Sequence, residues 1–588
     1  AGGAANRIPS PATRNVYTNI TASTDLTAAG NSLSTANVNT FSFADLGLTG
    51  SANEPTKDMV IDFARGVDVT DEDNDPNTTV RNVMGDPLHS QPAAVVYGGT
   101  PQNPEVVVYT ATNDGYVHAI DGTTGQELWA FVPREHLAKM TKLFFNPESA
   151  YKNYGVDGDI VPVTKDVDGD GVIESADGDF VYILFGMRRG GDSYYALDVT
   201  NKNSPQIKWR ISSPEMGQSW SAPTVARVAM NDNRLNSDEA VVIIGGGYDA
   251  VHDTIGHPAS ADGEGAGIYF LDLHSGEVLW RAGADGAAQL TLSTMTRAIP
   301  NQVRVVDFNG DSYADRMYAS DLGGQIWRFD IFNGKAPSGI GTDALVTGGV
   351  IAQLGAEGMA NPSDADTRRF YNAPDVAIFN DNIQNRRFLA INIGSGYRAH
   401  PLDNTNADRF YSIRDKDIFN KLSQSDYSTY SVVRDNNLVE VSGSVGAVIG
   451  ANDRGWKFTL PPDQKVLATS TTFNNEVFFV AFSPDSAAAS SCSAGRGKNF
   501  LYRVSITNGD PIADLDNVVS GTEDQLRVQN LAQGGIAPSP RFLFPTPDAN
   551  CTGNACNPPP LGCIGVECFD PGFVNNPVRT LWTQDGIE

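Results

Sequence analysis

The chain has 588 residues, with 42 lysines and arginines against 70 aspartates and glutamates, a formal charge of −28. Such a surface repels nucleic acid and anionic membranes and favours divalent cations. The 58 glycines and 33 prolines suit many short strands and turns, the 40% apolar content supports a sizeable core, and no run of about 18 or more apolar residues offers a membrane span.

Residues 1–85 are rich in Ala, Asn, Ser and Thr, with little periodicity, and are expected to form an extended N-terminal arm. The first residue is Ala, with no charged or apolar leader after it, so the chain is expected to be part of a longer secreted protein. Within the arm, DVTDEDNDPN (68–77) alternates Asp71, Asp73 and Asp75, but Pro76 stands where a metal loop needs its turn glycine. A solvated acidic linker and a metal site fit this stretch equally well.

From residue 86 to the end one pattern recurs. GYVHAIDGTTGQELW (115–129), SYYALDVTNKNSPQIKW (193–209) and GIYFLDLHSGEVLW (267–280) each give an aromatic-apolar strand, an Asp, a Gly or Asn turn, and a strand ending in Trp. QIWRFDIFNG (325–334) and FLYRVSITNG (500–509) are weaker copies. These are β-hairpins, and a hairpin repeated down a chain predicts a propeller or a solenoid. Strand starts at Pro92, Pro162, Pro223, Pro300 and Pro374, with KVLATSTTF (465–473) and IAPSPRFLF (536–544), make seven. The uneven spacing favours a closed all-β, seven-bladed propeller with long inter-blade loops. Residues 546–588 are expected as a Cys-rich tail and closing strand.

Two loops carry metal-binding spacing. In DFNGDSYAD (307–315), Asp307, Asn309, Asp311 and Asp315 offer side-chain oxygens at positions 1, 3, 5 and 9, and Tyr313 its backbone carbonyl at position 7. Calcium takes about 6–8 oxygen ligands on such a flexible loop. Position 12 is Tyr318, so the bidentate Glu of an EF-hand is missing and the flanking strands make this a hairpin loop. In DVDGDGVIESAD (166–177), Asp166, Asp168 and Asp170 precede a turn glycine, Gly171. Val172 would give its carbonyl, Glu174 sits at position 9 and Asp177 closes at position 12. A solvated acidic turn is the bland alternative at both places.

Of the five cysteines, Cys551, Cys556, Cys563 and Cys568 crowd the end at Cys-x4-Cys spacing, too loose for a zinc knuckle and without a nearby His. Two disulfides, most simply Cys551–Cys556 and Cys563–Cys568, are expected, which implies an oxidising compartment and leaves Cys492 odd. No His-x3-His, Gly-x-Ser-x-Gly or Gly-x4-Gly-Lys motif appears. His89 and His118 read as packed structural residues.

The hairpin at 115–129 resembles the repeat of quinoprotein-type propellers. A wider set of segments resembles, in order and spacing, the PilY family of type IV pilus-tip adhesins: IDFARGVDVTDED (61–73), MGDPLHSQPAAVVY (84–97), YTATNDGYVHAIDGTTGQELWAFVP (109–133), WSAPTVARV (220–228), VVDFNGDSYADRMYASDLGGQIWRFDI (305–331) and RTLW (579–582). The resemblance implies the C-terminal propeller of a secreted protein at the pilus tip or outer-membrane surface. Its implied partners are minor pilins, the pilus machinery and a host or abiotic surface. It also implies a calcium cofactor that modulates pilus extension against retraction, twitching and attachment. Some relatives carry Arg-Gly-Asp; here Arg65-Gly66 is followed by Val67, so integrin binding is not expected. Two rival readings are a pyrroloquinoline-quinone dehydrogenase and a scaffold whose calcium is only structural. The first is disfavoured because no two cysteines are adjacent.

Overall fold

The computed structural model describes residues 3–572 apart from 73, 78, 150–151, 259, 358, 360, 382–385, 485–495, 513–526 and 546–558. Those residues form seven antiparallel sheets in chain order, the blades of a propeller. Blade 1 runs Ala93–Thr100, Asn103–Ala111, Val117–Asp121 and Glu127–Val132; blade 2 runs Ile160–Lys165, Phe180–Gly186, Tyr194–Asp198 and Gln206–Ile211. Blades 3, 4, 5 and 6 open at Thr224–Arg227, Arg304–Val306, Asp375–Asp381 and Lys465–Val466. Blade 7 has three strands, Arg541–Leu543, Leu561–Ile564 and Glu567–Phe569. Each of the seven expected segments holds the first strand of a blade, though after Pro300 the strand begins only at Arg304 and within 536–544 only at Arg541. Pro92, Pro223 and Pro374 stand immediately before their strands, whereas Pro162 lies inside Ile160–Lys165, an edge strand where its missing N–H breaks no ladder.

The repeat has a physical reason at both of its marked residues. Its Asp closes the hairpin turn: Asp121 Oδ1 accepts the Thr124 N–H at 2.7 Å and Asp272 Oδ1 the Ser275 N–H at 2.7 Å, with Asp198 accepting from Thr200. Its Trp reaches the next blade. Trp129 Nε1 donates to the Lys202 carbonyl at 2.7 Å, Trp209 to Leu273 at 2.7 Å, and Trp456 to Ile506 at 3.0 Å. Apolar residues then fill each blade-to-blade seam from blade 1 through blade 7, and the second and third strands of blades 2, 3 and 4 are buried on both faces almost throughout. This explains near-continuous runs such as Phe180–Gly186 and Ala240–Gly245.

The N-terminal residues run along blade 1. Val16–Thr18 pairs parallel to Glu127–Val132 as a fifth strand. Helix α1, Lys57–Arg65, is capped by Thr56 and ended by Gly66 in the left-handed region, and it buries Val60, Ile61 and Phe63. Arg14 forms a buried ion pair with Glu127, whose other oxygen meets His118 Nδ1 at 2.7 Å. Arg65 is bonded to the carbonyls of Pro11, Arg14 and Leu33, so the Arg-Gly half of the missing tripeptide is itself structural. Four blades gain a parallel outer strand, and in blade 4 it is Val433–Arg434, contributed by the long connection within blade 5. Cys563 and Cys568 face each other across the blade 7 hairpin and are disulfide-bonded. Cys492, Cys551, Cys556 and the RTLW segment lie outside the described residues. No described helix is long and apolar enough to cross a membrane.

Candidate metal-binding loops

Both expected loops join the first and second strands of a blade, 166–179 in blade 2 and 307–315 in blade 4. In blade 4, Asp307 Oδ1 accepts the Gly310 N–H at 2.8 Å and its Oδ2 the Ser312 N–H at 2.8 Å. In blade 2, Asp166 Oδ1 accepts the Gly169 N–H at 2.7 Å and its Oδ2 the Gly171 N–H at 2.8 Å. The fifth residue of each loop then accepts from the seventh: Asp311 from Tyr313 at 2.9 Å and Asp170 from Val172 at 2.8 Å. Positions 4 and 6 are left-handed in both, at Gly310 (φ 75°) and Ser312 (φ 70°), and at Gly169 (φ 73°) and Gly171 (φ 82°). Position 8 anchors each loop to the first strand of the preceding blade, through Ala314 N–H to the Arg227 carbonyl at 2.9 Å and Ile173 N–H to the Tyr97 carbonyl at 3.1 Å. The two loops are one device used twice.

The closing carboxylate completes the likeness. Asp315 Oδ2 accepts the Phe308 N–H, at position 2, at 2.9 Å. In blade 2 that role falls to Asp179, whose Oδ1 accepts the Val167 N–H at 2.9 Å and whose Oδ2 accepts the Glu174 N–H at 2.9 Å. Both closing residues are 5% exposed. Glu174 and Asp177, the residues that loop spacing points to, are exposed, and Asp177 sits in the short 3-10 turn Ser175–Asp177. A five-residue insertion, 174–178, hides Asp179 from a reading by spacing. The signal was nonetheless present: Asp179 immediately precedes the second strand, as Asp315 does.

Among the described residues, Asp166, Asp168 and Asp170 form the acidic trio whose carboxylate oxygens all come within 4.8 Å of one another. Asp166 is held below the usual carboxylate range, chiefly by the Gly171 N–H. Asp168 accepts the Asp170 N–H yet is raised, by partial desolvation and by the Asp170 and Asp166 charges beside it. Donated N–H groups thus favour the charged form of Asp166, while the neighbouring carboxylates disfavour that of Asp168. Asp307, Asp311 and Asp315 are not drawn so close: Asp315 Oδ1 is bonded to Lys421 Nζ at 2.7 Å, and Asp311 Oδ2 accepts from Asn309 Nδ2 at 2.9 Å. Tyr313 has its hydroxyl bonded to Glu239 and its ring under Arg227 at 4.4 Å, which ties the loop to blade 3. Both donor sets are hard oxygens gathered on a tight turn, chemistry that fits calcium. At 68–77, Asp73 lies outside the described residues and Asp75 accepts from Asn77 in its own turn.

The fold and the paired loops define a seven-bladed propeller with oxygen-rich loops between first and second strands. The family model for the PilY1 beta-propeller domain matches residues 74–423, more than half of the chain and both loops. The chain belongs to the PilY1 family. It is similar to the type IV pilus biogenesis factor PilY1 of Pseudomonas aeruginosa (strain PAK), 29% identical over 300 residues, covering 46% of this chain and 23% of that protein. A PilY1 homolog of Xylella fastidiosa is 24% identical over 502 residues, covering 78% of this chain and 30% of the homolog. The chain thus spans less than a third of the length of the relatives it matches. Its fold is shared with the crystal structure of the P. aeruginosa PilY1 C-terminal domain, at TM-score 0.50 and 20% identity, covering 79% of this chain and 92% of that one.

Proposed function

We propose that this chain is the propeller module of a type IV pilus biogenesis factor, acting at the pilus tip or outer-membrane surface. In this reading it is no enzyme. It contacts minor pilins and the pilus machinery, promotes surface attachment and twitching, and uses calcium to bias pilus extension against retraction. The observation that carries the reading is the family match over residues 74–423, which takes in both loops. The oxygen donors fit the ion: Asp307, Asn309, Asp311, Asp315 and the Tyr313 carbonyl in blade 4, with Asp166, Asp168, Asp170, Asp179 and the Val172 carbonyl in blade 2. Bound calcium would supply the positive charge that lets three carboxylates share one turn. The chain's own part is to hold the turn in register with Asx-type bonds and to anchor it on the preceding blade. A loop that tightens or slackens therefore acts on the seam between two blades.

The test is calcium calorimetry together with piliation and twitching in cells whose full-length protein carries Asp311→Ala. Loss of calcium binding with altered piliation is expected. Loss of calcium with wild-type piliation and twitching would make the ion a structural staple, and unchanged calcium binding would remove this loop from the site.

A further inference from the structure

We propose that Lys421 is a built-in counter-ion of the blade 4 loop, competing with calcium for Asp315 and coupling the loop to the blade 5 segment that carries it. The proposal rests on the calcium reading of that loop.

Asp315 is 5% exposed and both its oxygens are engaged, Oδ2 by the Phe308 N–H at 2.9 Å and Oδ1 by Lys421 Nζ at 2.7 Å. The lysine comes from 106 residues further along the chain, within the connection between Arg409–Asp415 and Gly455–Thr459. Its position is fixed from both sides. The Asn420 carbonyl accepts from Arg316 at 2.9 Å and from Arg328 at 2.7 Å. The Leu422 N–H donates to Asp330 Oδ2 at 3.0 Å, and the Leu422 carbonyl accepts the Thr347 hydroxyl at 2.6 Å. The ammonium is therefore delivered on anchored backbone, so the contact costs side-chain entropy but no further ordering of the segment that carries it.

An oxygen held by an ammonium is not free to bind a divalent ion, and two cations on one carboxylate repel each other. Calcium at Asp315 must displace Lys421 or accept a poorer ligand. The blade 2 loop lacks this competitor: both Asp179 oxygens accept backbone N–H groups, and no described ion pair involves Asp179. Two loops with one hydrogen-bond scheme thus differ in this tethered charge, as they do at position 3, where Asn309 stands against Asp168, and the lysine should make blade 4 bind calcium more weakly than its ligands alone would dictate. Linkage makes the effect mutual, because whatever Lys421 takes from calcium affinity, calcium takes from the docking of the Lys421 segment.

Calcium titration of the full chain, by calorimetry and by terbium luminescence, tests this on wild type, Lys421→Met, Asp311→Ala and the double variant. Lys421→Met is expected to tighten the blade 4 loop roughly tenfold, near the lower end of the usual range for coupled sites. It should leave the blade 2 loop unchanged, and the gain should vanish in the double variant. Hydrogen exchange of the 420–423 amides should rise on calcium addition in wild type and change less in Lys421→Met. Unchanged or weaker binding in Lys421→Met overturns the proposal, as does a gain that survives Asp311→Ala. If Asp311→Ala alters no calcium binding in the wild-type background, the calcium reading of the loop falls first and this proposal with it.

Discussion

Asp315 and Asp179 occupy the same place in two blades, each a buried carboxylate that accepts the N–H of the second residue of its own acidic loop at 2.9 Å. Asp315 ends a nine-residue turn and Asp179 a fourteen-residue one, yet both stand directly before the second strand of the blade. The equivalence predicts that Asp179→Asn lowers calcium affinity of the blade 2 loop at least tenfold while Asp177→Asn leaves it within twofold, because only the former residue is buried against the turn. Calcium calorimetry on the two variants decides it. A larger loss from Asp177→Asn would restore the twelve-residue spacing as the operative one.

The indole bridges between blades predict a graded series. Trp129, Trp209 and Trp456 each donate to a carbonyl of the next blade, whereas Trp280 packs edge-on to Phe329 at 6.5 Å and its N–H has no described partner. Replacing Trp by Phe at the first three positions leaves a carbonyl without its donor, a cost of about 1–3 kcal/mol each. Trp280→Phe should cost about 1 kcal/mol less than they do. Urea midpoints for the four variants measure the difference, and four equal losses would show that packing alone counts.

The architecture was legible because its devices are local. A proline before a strand, an Asp that closes a turn and a Trp that bridges blades each act within one hairpin or reach only its neighbour. What escaped the sequence acts across distance or hides behind an insertion. Val16–Thr18 and Val433–Arg434 are three and two residues long, too short for any periodicity, and they pair with strands far away in sequence. Helix α1 offers two and a half turns within a polar arm. Of the two loops, the trio Asp166, Asp168 and Asp170 and the set Asp307, Asn309 and Asp311 were readable from alternation. Asp179 was displaced by the five-residue insertion, and the Lys421 contact depends on a connection in another blade.

His136 gives a pH dependence. It is fully buried on the short helix Arg134–Leu137 with neither ring nitrogen bonded, and burial, helped by Lys139, pushes it down to about 3. The folded state favours the neutral ring, so its stabilising contribution is complete above pH 6.5 and is lost as pH falls from 6.5 towards about 3. The slope is about 1.4 kcal/mol per pH unit, or about 2 kcal/mol by pH 5. Urea unfolding between pH 8 and 5 should show this loss in wild type and a shallower one in His136→Leu. Parallel curves for the two proteins would assign the acid sensitivity to other groups.

The last prediction concerns the buried charges beneath the blade 4 loop. Asp330 is inaccessible to solvent and accepts from Arg316 Nε at 2.6 Å, Arg328 Nη2 at 2.9 Å, the Leu422 N–H at 3.0 Å and the Tyr427 hydroxyl at 2.7 Å. Arg328 also pairs with Asp415 at 2.9 Å, so two guanidinium groups face two carboxylates with no net charge. Asp330→Ala leaves Arg316 without its carboxylate at bonding distance and Arg328 with one instead of two. An uncompensated buried charge of this kind costs about 3–5 kcal/mol. Adding Arg316→Met removes the excess charge and keeps the Arg328–Asp415 pair, so the double variant should be more stable than Asp330→Ala alone, a negative coupling of about 1–3 kcal/mol. Because Asp330 also holds Leu422, Asp330→Ala should free the neighbouring Lys421 and tighten calcium binding at Asp315 even as it destabilises the fold. Chemical denaturation and calcium titration of the single and double variants measure both effects. Strictly additive stabilities would mean that Arg316 and Asp330 contribute independently, and an unchanged calcium affinity would mean that Asp330 does not set the position of the Lys421 segment.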